Sequence, residues 1–266
     1  MKNNSLIVSF LAIILFSSCK EKIDLNLNNQ EFSRLVVEGT ITNEDIYQTI
    51  MITKTSDYSK SQPPVIVHNA IVSVSDGQNS WSFSESASGI YQSQTPFQGM
   101  VGMTYNLSIQ YDNESYTAVA TMNPALIIDT LYAATSAYGD SLYEIYSNIY
   151  ESEMPMQYYL LKTIVNGVIN DSLKNWNYFS DELINGAYLP DLLLTFVKAK
   201  EGDTIQIKSF SINKEHYDYI INASQSLYEP IPFLGSNPAN IKGNISNGAM
   251  GFFQASAVSV NSCVIQ

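Results

Sequence analysis

Hydrophobic and polar side chains alternate in one short segment after another between residues 34 and 122, and this pattern constrains the fold more than any other feature of the sequence. Successive side chains of a strand point to opposite faces of a sheet, so each alternating segment predicts a strand with one buried face. The turn signals Asp76-Gly77 and Asp112-Asn113-Glu114 predict tight hairpins. The predicted strands are Leu35–Ile41, Gln48–Lys54, Ala70–Ser75, Trp81–Phe83, Gly89–Ser93, Thr104–Tyr111 and Ser115–Thr121.

Strands of this number and spacing are typical of an immunoglobulin-like sandwich, in which short strands follow one another about every 8–12 residues. We predict such a domain for residues 34–123, and we place a boundary at Asn123-Pro124. Residues 124–266 are predicted to form a second β-rich domain. The predicted fold class is therefore all-β, with two β-sandwich (immunoglobulin-like) domains, the second containing one inserted α-helix.

The second half of the sequence changes its periodicity once. Hydrophobic side chains recur at helical spacing over residues 214–227, and Asn213 precedes them as a predicted N-cap. The pair Asn166-Gly167 lies between alternating segments and predicts another hairpin. Residues 171–192 are rich in Asn and Tyr without a clear period, and we predict that they are irregular.

The N-terminal segment predicts export and a lipid anchor. The apolar run Leu6–Phe16 is too short to span a bilayer core, which needs about 20 residues, and it has the size of a signal-peptide core. Small Ser17-Ser18 followed by Cys19 resembles the lipobox of bacterial lipoproteins. That resemblance implies cleavage of residues 1–18, acylation of Cys19 (palmitate or a similar chain) and a polar tether over residues 19–33. The alternative is an ordinary secretory signal followed by a cysteine by chance.

The charge balance excludes several classes of partner. Lys and Arg number 13 against 25 Asp and Glu, which gives a formal net charge of −12. A non-specific nucleic-acid binder needs a basic surface, so we predict no nucleic-acid partner. Attachment to anionic lipid by charge is disfavoured for the same reason, which leaves a lipid anchor as the predicted membrane contact. Two cysteines exclude a disulfide-dense scaffold.

Motifs of common enzyme and cofactor sites are missing from the sequence: there is no His-Glu-x-x-His, Gly-x-Ser-x-Gly, phosphate-binding loop or dinucleotide fingerprint. We predict surface or capping roles for His68 and His216, and a partly buried, unreactive thiol for Cys263. The prediction is therefore a protein that is not an enzyme, with no cofactor and no metal. The alternative is a carbohydrate-active hydrolase that uses paired acids. Candidate pairs are Asp181 with Glu182, Glu201 with Asp203, and Glu151 with Glu153.

Tyrosine is the most distinctive component, with 18 residues. Tyrosine offers a large contact area at low entropic cost and is enriched in binding surfaces, although it is also a favoured sheet residue. Residues 233–250 form a long loop that would suit ligand contact as well. The expected ligand is a glycan or a peptide. The candidate binding surface consists of Tyr143, Tyr146, Tyr150, Trp176, Tyr178 and Tyr188.

Several segments together resemble one family of Bacteroidota lipoproteins, known as domain of unknown function 4249. The resemblance implies an extracytoplasmic lipoprotein, often encoded near TonB-dependent outer-membrane receptors, without an established activity or catalytic residues. We therefore expect an outer-membrane accessory protein with a binding or scaffold role beside such a receptor, on the periplasmic face or the cell surface. The matching segments are Ser18–Asp24, Leu35–Asn43, Ala70–Asp76, Gly89–Tyr91, Ile128–Tyr132, Tyr217–Tyr219 and Asn240–Phe252.

Overall fold

The computed structural model describes residues 33–56, 63–151, 153–154, 156–227 and 241–266. Within these residues, three β-sheets make up most of the structure, accompanied by one α-helix and one short 3-10 turn at Leu173–Asn175. The predicted all-β class is confirmed. The predicted lipid-attachment residue Cys19, the signal peptide, most of the tether and residues 228–240 lie outside the described residues.

The strands and the helix are numbered in the order in which they follow one another along the chain. In chain order they are β1 (Leu35–Thr42), β2 (Thr49–Lys54), β3 (Val65–Ile66), β4 (Ile71–Ser75), β5 (Ser80–Ala87), β6 (Ile90–Ser93), β7 (Thr104–Tyr111), β8 (Glu114–Thr121), β9 (Ile127–Thr135), β10 (Leu142–Tyr150), β11 (Tyr158–Val165), β12 (Val168–Ile169), β13 (Asn177–Ser180), β14 (Tyr188–Lys198), β15 (Thr204–Ile212), α1 (Lys214–Ser226), β16 (Met250–Ser256) and β17 (Val258–Val264).

The first sheet contains nine strands in the order β16-β1-β2-β6-β5-β4-β7-β8, with β3 paired to β2. Every pairing is antiparallel except that of β1 with β16, which is parallel. The predicted alternation is visible in β7, where Tyr105, Leu107 and Ile109 are buried between more exposed neighbours. Burying an aliphatic side chain of this size contributes about 1.5–3 kcal/mol, so the inward face of this sheet supplies a large core.

The segment before β16 joins the two ends of the first sheet. The side-chain amide of Asn244 donates to the Phe253 carbonyl oxygen at 2.7 Å and accepts from the Phe253 N–H at 2.9 Å. Ser246 bonds through its backbone N–H and its hydroxyl to Thr117 of β8. Edge backbone groups of β8 and β16 are therefore satisfied by this segment, and the sheet is nearly closed.

Gly251 makes the parallel pairing of β1 with β16 sterically feasible. Its φ is +91°, and a Cβ atom there would lie 2.0 Å from the Val37 carbonyl oxygen. Only glycine combines this backbone conformation with such a close approach of a second chain segment.

The second sheet has the order β14-β10-β9, and the third has the order β12-β11-β15-β17, with β13 paired to the same edge of β11 as β12. Both sheets contribute to one hydrophobic core, which we call the shared core; Ile145 and Ile149 enter it from β10, and Tyr159 and Leu161 from β11. The alternating residues of β11 point the other way and pack with Ile220 of α1. The third sheet thus lies between the shared core and the helix.

The single described helix agrees with its prediction. The side chain of Asn213 accepts a hydrogen bond from the His216 N–H at 2.8 Å, which satisfies one of the free donors of the first turn. Among the residues that the structure describes, no helix is both long enough and apolar enough to cross a bilayer.

The last two strands connect the sheets, because β16 belongs to the first sheet and β17 to the third, with only Ala257 between them. The hydroxyl of Ser211 accepts from the Ala257 N–H at 2.9 Å and donates to the Asn123 carbonyl oxygen at 2.7 Å. Residues 250–256 therefore pair with the first half of the chain, whereas the predicted boundary assigns them to the second domain. The division into two domains stays a prediction.

Candidate functional site

A cavity of about 730 Å³ lies between β13 and β14, where the second and third sheets meet at their edges. Leu161 on its wall belongs to the shared core, and Phe179, Leu189 and Leu192 pack against that core. Lys174, Asn177, Ser180, Glu182 and Ser224 supply its polar lining. The complete lining is Leu161, Leu173, Lys174, Trp176, Asn177, Tyr178, Phe179, Ser180, Glu182, Leu183, Ile184, Leu189, Leu192, Leu193, Leu194 and Ser224.

Both strands that line the cavity are edge strands. Among the described residues, β13 pairs only with β11 and β14 pairs only with β10, so each has one edge without a strand partner. Pro190 in β14 fits this position, because a proline without an N–H is tolerated on an edge strand. Residues 171–192 were expected to be irregular, and the structure instead places β13 and the beginning of β14 there. The prediction was wrong because neither strand has a strict alternation.

Two of the six predicted binding residues line the cavity. The indole N–H of Trp176 donates to Asp171 at 3.0 Å, and the ammonium of Lys162 lies 4.1 Å from the centroid of the indole ring. Tyr178 is held through its hydroxyl, which lies 2.9 Å from that of Ser224 in α1. These contacts fix both rings before any ligand arrives.

Three other predicted residues lie on the outer face of the second sheet. Tyr150 and Tyr188 pack with their ring centroids 4.6 Å apart, and both are about half exposed. Tyr146 stacks on Tyr132 with centroids 5.5 Å apart. Tyr143 points in the opposite direction and packs against the shared core. The structure therefore divides the six predicted residues among the cavity, the outer face and the core.

Carboxylates orient the tyrosine hydroxyls of the outer face. The hydroxyl of Tyr132 donates to Asp191 at 2.5 Å, and this bond raises the pKa of Tyr132 to about 12. The hydroxyl of Tyr146 donates to Glu144 at 2.6 Å, which raises the pKa of that tyrosine in the same way. Both phenols therefore stay protonated at neutral pH.

The candidate acid pairs are rearranged by the fold. Glu151 and Asp181, which come from two different pairs, are buried, whereas Glu182 is exposed on the cavity wall. Asp203 caps its own turn by accepting from the Lys200 N–H at 2.9 Å and from the Asn166 side chain, and these bonds lower the pKa of Asp203.

The remaining candidate groups have structural surroundings. His68 is exposed and contacts Glu85 at 2.6 Å, as predicted for a surface histidine. The surface prediction for His216 is wrong: its ring is buried and stacks on Phe252, with centroids 4.4 Å apart, because α1 packs against β16. Cys263 is partly buried, and burial raises the pKa of its thiol, which disfavours the nucleophilic thiolate.

Within the described ranges, three or more His, Cys, Asp or Glu side chains nowhere come close enough together to hold a metal ion. The leucines of the cavity were missed at the sequence level, although the run Leu192-Leu193-Leu194 carried a signal. Three consecutive apolar residues cannot all face one core, so at least one of them needs a second apolar neighbour.

Comparisons with known proteins give a family and no activity. No curated protein matches this chain in sequence. The model of one family, described as Domain of unknown function (DUF4249), matches residues 20–262, which is nearly the whole chain after the predicted signal peptide. The resemblance noted in the sequence is thereby confirmed, and the chain belongs to the DUF4249 family.

Proposed function

We propose that this chain is a lipid-anchored, extracytoplasmic accessory protein of the outer membrane, which binds a ligand beside a TonB-dependent receptor without transforming it. The apolar run before Cys19 supports the anchor, and the location and the receptor are what the resemblance described under Sequence analysis implies. We further propose that its two larger hydrophobic cores correspond to two β-sandwich domains of immunoglobulin-like type. One core is enclosed by the first sheet, and the other lies between the second and third sheets.

The observation that carries the binding role is the apolar cavity between two edge strands. Ligand sites are typically concave, largely apolar and between about 300 and 1,000 Å³, and this cavity has such a size and lining. Edge strands offer backbone donors and acceptors to an extended segment, and neighbouring pockets then select its side chains. The cavity therefore fits an extended peptide that pairs with β13 or β14 and inserts apolar side chains among the leucines.

A peptide fits this cavity better than a glycan. Leucine is the commonest residue of the walls, with seven of the sixteen lining side chains, and sugar hydroxyl groups that face these leucines would lose their hydrogen bonds to water. An apolar peptide side chain gains free energy from the same surface.

The alternative function is a hydrolase with Asp or Glu in the active site. Glycoside hydrolysis uses two carboxyl groups that face each other across the bond. In the described lining of the cavity, Glu182 is the single acid, while Glu151 and Asp181 are buried elsewhere. The geometry of the cavity therefore favours binding over hydrolysis.

A peptide titration tests the binding role. The probe is a short synthetic peptide with alternating Leu and Thr, and the readout is isothermal calorimetry on the full-length chain in detergent. Leu193→Arg places a charge at the partly exposed mouth of the cavity and should weaken binding by at least about tenfold, or 1.4 kcal/mol. Met100→Arg is the matched control, because Met100 is exposed in the connection between β6 and β7 and does not line the cavity. Equal affinities of the two variants, or no binding by the unmodified chain, would refute the assignment.

The anchor and the partner are tested in cells. Cys19→Ser should leave the chain unacylated and release it from the outer-membrane fraction, which mass spectrometry and fractionation detect. Crosslinking of the native protein should recover a TonB-dependent receptor. An acyl-free Cys19 in the native protein contradicts the anchor, and crosslinks confined to other proteins contradict the partner.

A further inference from the structure

Four oxygen-bearing side chains converge at one end of the shared core. We call Glu151, Gln157, Tyr159 and Asp181 the oxygen cluster. The Tyr159 hydroxyl lies 3.0 Å from Glu151 Oε1 and 2.8 Å from Gln157 Oε1. All four residues are less than a tenth exposed.

Strand pairing brings Asp181 to the same place. Ser180 pairs with Tyr158 across β13 and β11, and the next backbone bond runs from the Asp181 N–H to the Gln157 carbonyl oxygen at 3.0 Å. Residues opposite each other in an antiparallel pair project to one face, and so do residues two apart on a strand. The side chains of Asp181, Gln157 and Tyr159 therefore share the face that looks into the shared core.

Glu151 reaches the cluster from the second sheet. It follows β10, and its Oε2 accepts from the Gly186 N–H at 2.9 Å while its own N–H donates to the Ala187 carbonyl oxygen at 3.0 Å. The segment that starts at Asp181 thus loops back to fix Glu151. The cluster joins two sheets that share no strand pairing with each other.

The cluster has more acceptors than protons. The single hydroxyl proton of Tyr159 faces two acceptor oxygens, Glu151 Oε1 and Gln157 Oε1. Both carboxylate oxygens of Asp181 are buried and have no hydrogen-bond partner in the part of the chain that the structure describes. Among the described residues, no Lys, Arg or His forms an ion pair with Glu151 or Asp181. Buried carboxylates normally have a partner or bind a metal, so this arrangement lacks a positive charge.

We propose that the oxygen cluster binds a hard divalent cation of the Ca²⁺ class. Ca²⁺ takes carboxylate, amide and other oxygen ligands in flexible geometry, and the cluster offers two carboxylates, one amide oxygen and one hydroxyl. Softer metals favour thiolate and imidazole ligands, and neither is present in the cluster. A bound cation would neutralise Asp181 and Glu151 together and hold the second and third sheets in position. This site does not depend on the peptide cavity, and each can fail without the other.

Terbium luminescence tests the site, because Tb³⁺ replaces Ca²⁺ and is excited by a nearby tyrosine. The full-length chain in detergent should show tyrosine-excited emission that Ca²⁺ displaces, and Ca²⁺ should raise its melting temperature relative to EDTA. Asp181→Asn keeps the shape of the side chain and removes its charge. It should lower the affinity by at least about tenfold, since even the loss of a group that only orients a metal ligand costs that much.

Glu182→Gln is the matched control, because it removes the same charge one residue away on an exposed side chain. Glu151→Gln is the second cluster variant and covers the case in which Asp181→Asn does not fold. Saturable emission that the cluster variants weaken and the control retains supports the site. Two results would overturn it: no effect of Ca²⁺ or Tb³⁺ on the unmodified chain, or equal cation binding by the cluster and control variants. If Asp181→Asn stabilises the protein and the unmodified chain does not respond to cations, the carboxyl groups of the cluster share a proton and do not bind a cation.

Discussion

Acid should destabilise this protein through His216, which is the buried histidine of α1. The ring stacks on Phe252 of β16, its Nδ1 has no hydrogen-bond partner among the described residues, and burial lowers the pKa of His216 from 6.5 to about 4. The nearby polar side chain of Gln254 acts in the opposite direction and is outweighed, while the charge of Lys162 adds to the lowering. Protonation would place a charge between the helix and the first sheet without a partner.

The sign of the effect follows from proton counting. Between pH 6.5 and about 4 the unfolded chain binds a proton at this residue and the folded protein does not, so stability rises with pH in that window. The contribution of His216 to the free energy of unfolding is complete above about pH 6.5 and is lost as the pH falls toward 4. The difference between the two pKa values corresponds to about 3 kcal/mol, of which about 2.5 kcal/mol is lost by about pH 4.5.

Urea denaturation at about pH 7 and about pH 4.5 measures the effect, with His216→Gln and His216→Phe as comparison variants. Carboxyl groups also titrate in this range. The informative quantity is therefore the free energy of unfolding that the unmodified chain loses between the two pH values, minus the loss in each variant. Both variants should reduce the loss by about 2.5 kcal/mol, because neither can be protonated. If all three proteins lose equal stability, the buried histidine does not titrate as argued here. If only one variant differs, packing accounts for the result.

Two further predictions concern the closure of the first sheet. Gly251→Ala should lower the free energy of unfolding by at least about 2 kcal/mol in thermal or urea denaturation, because it adds a clash with the Val37 carbonyl oxygen to the strain of a positive φ. Gly77 also has a positive φ but has open space around it, so Gly77→Ala should cost only about 1 kcal/mol. Equal costs of the two substitutions would contradict the role of the clash. Asn244→Ala should lower the free energy of unfolding by about 2 kcal/mol, because it removes two hydrogen bonds to Phe253. Asn106→Ala removes one exposed and longer bond and should change stability little in the same assay. An Asn244→Ala variant as stable as Asn106→Ala would refute the bridging role.

Local features of the fold could be predicted because local chemistry determines them. The turn at Asp76-Gly77 forms as expected, with Asp76 Oδ1 accepting from the backbone N–H groups of Gln78 and Asn79. Asn166 and Gly167 both adopt the positive φ that a two-residue hairpin needs. The helix after Asn213 begins where its cap and its periodicity indicate.

Long-range features could not be predicted from the same patterns. Parallel pairing of β1 with β16 joins residues about 214 positions apart, and a strand pattern contains no information about its distant partner. The six predicted binding residues illustrate the same limit, because Tyr143 and Tyr146 are three positions apart on one strand and therefore face opposite ways. The oxygen cluster combines residues from β10, β11 and the end of β13, which no spacing rule would group.

The segments that carry the family resemblance do not include the residues that line the cavity. Leu35–Asn43 and Asn240–Phe252, two of the longest matching segments, contain β1 and the residues that close the first sheet, where Gly251 and Asn244 have steric and hydrogen-bonding roles. The cavity is lined largely by residues 173–194, which belong to none of those segments. The proposed peptide site therefore depends on side chains outside those segments, whereas Gly251 and Asn244 lie within one of them. A relative that keeps the glycine and asparagine but replaces the cavity leucines should fold in the same way and bind a different ligand.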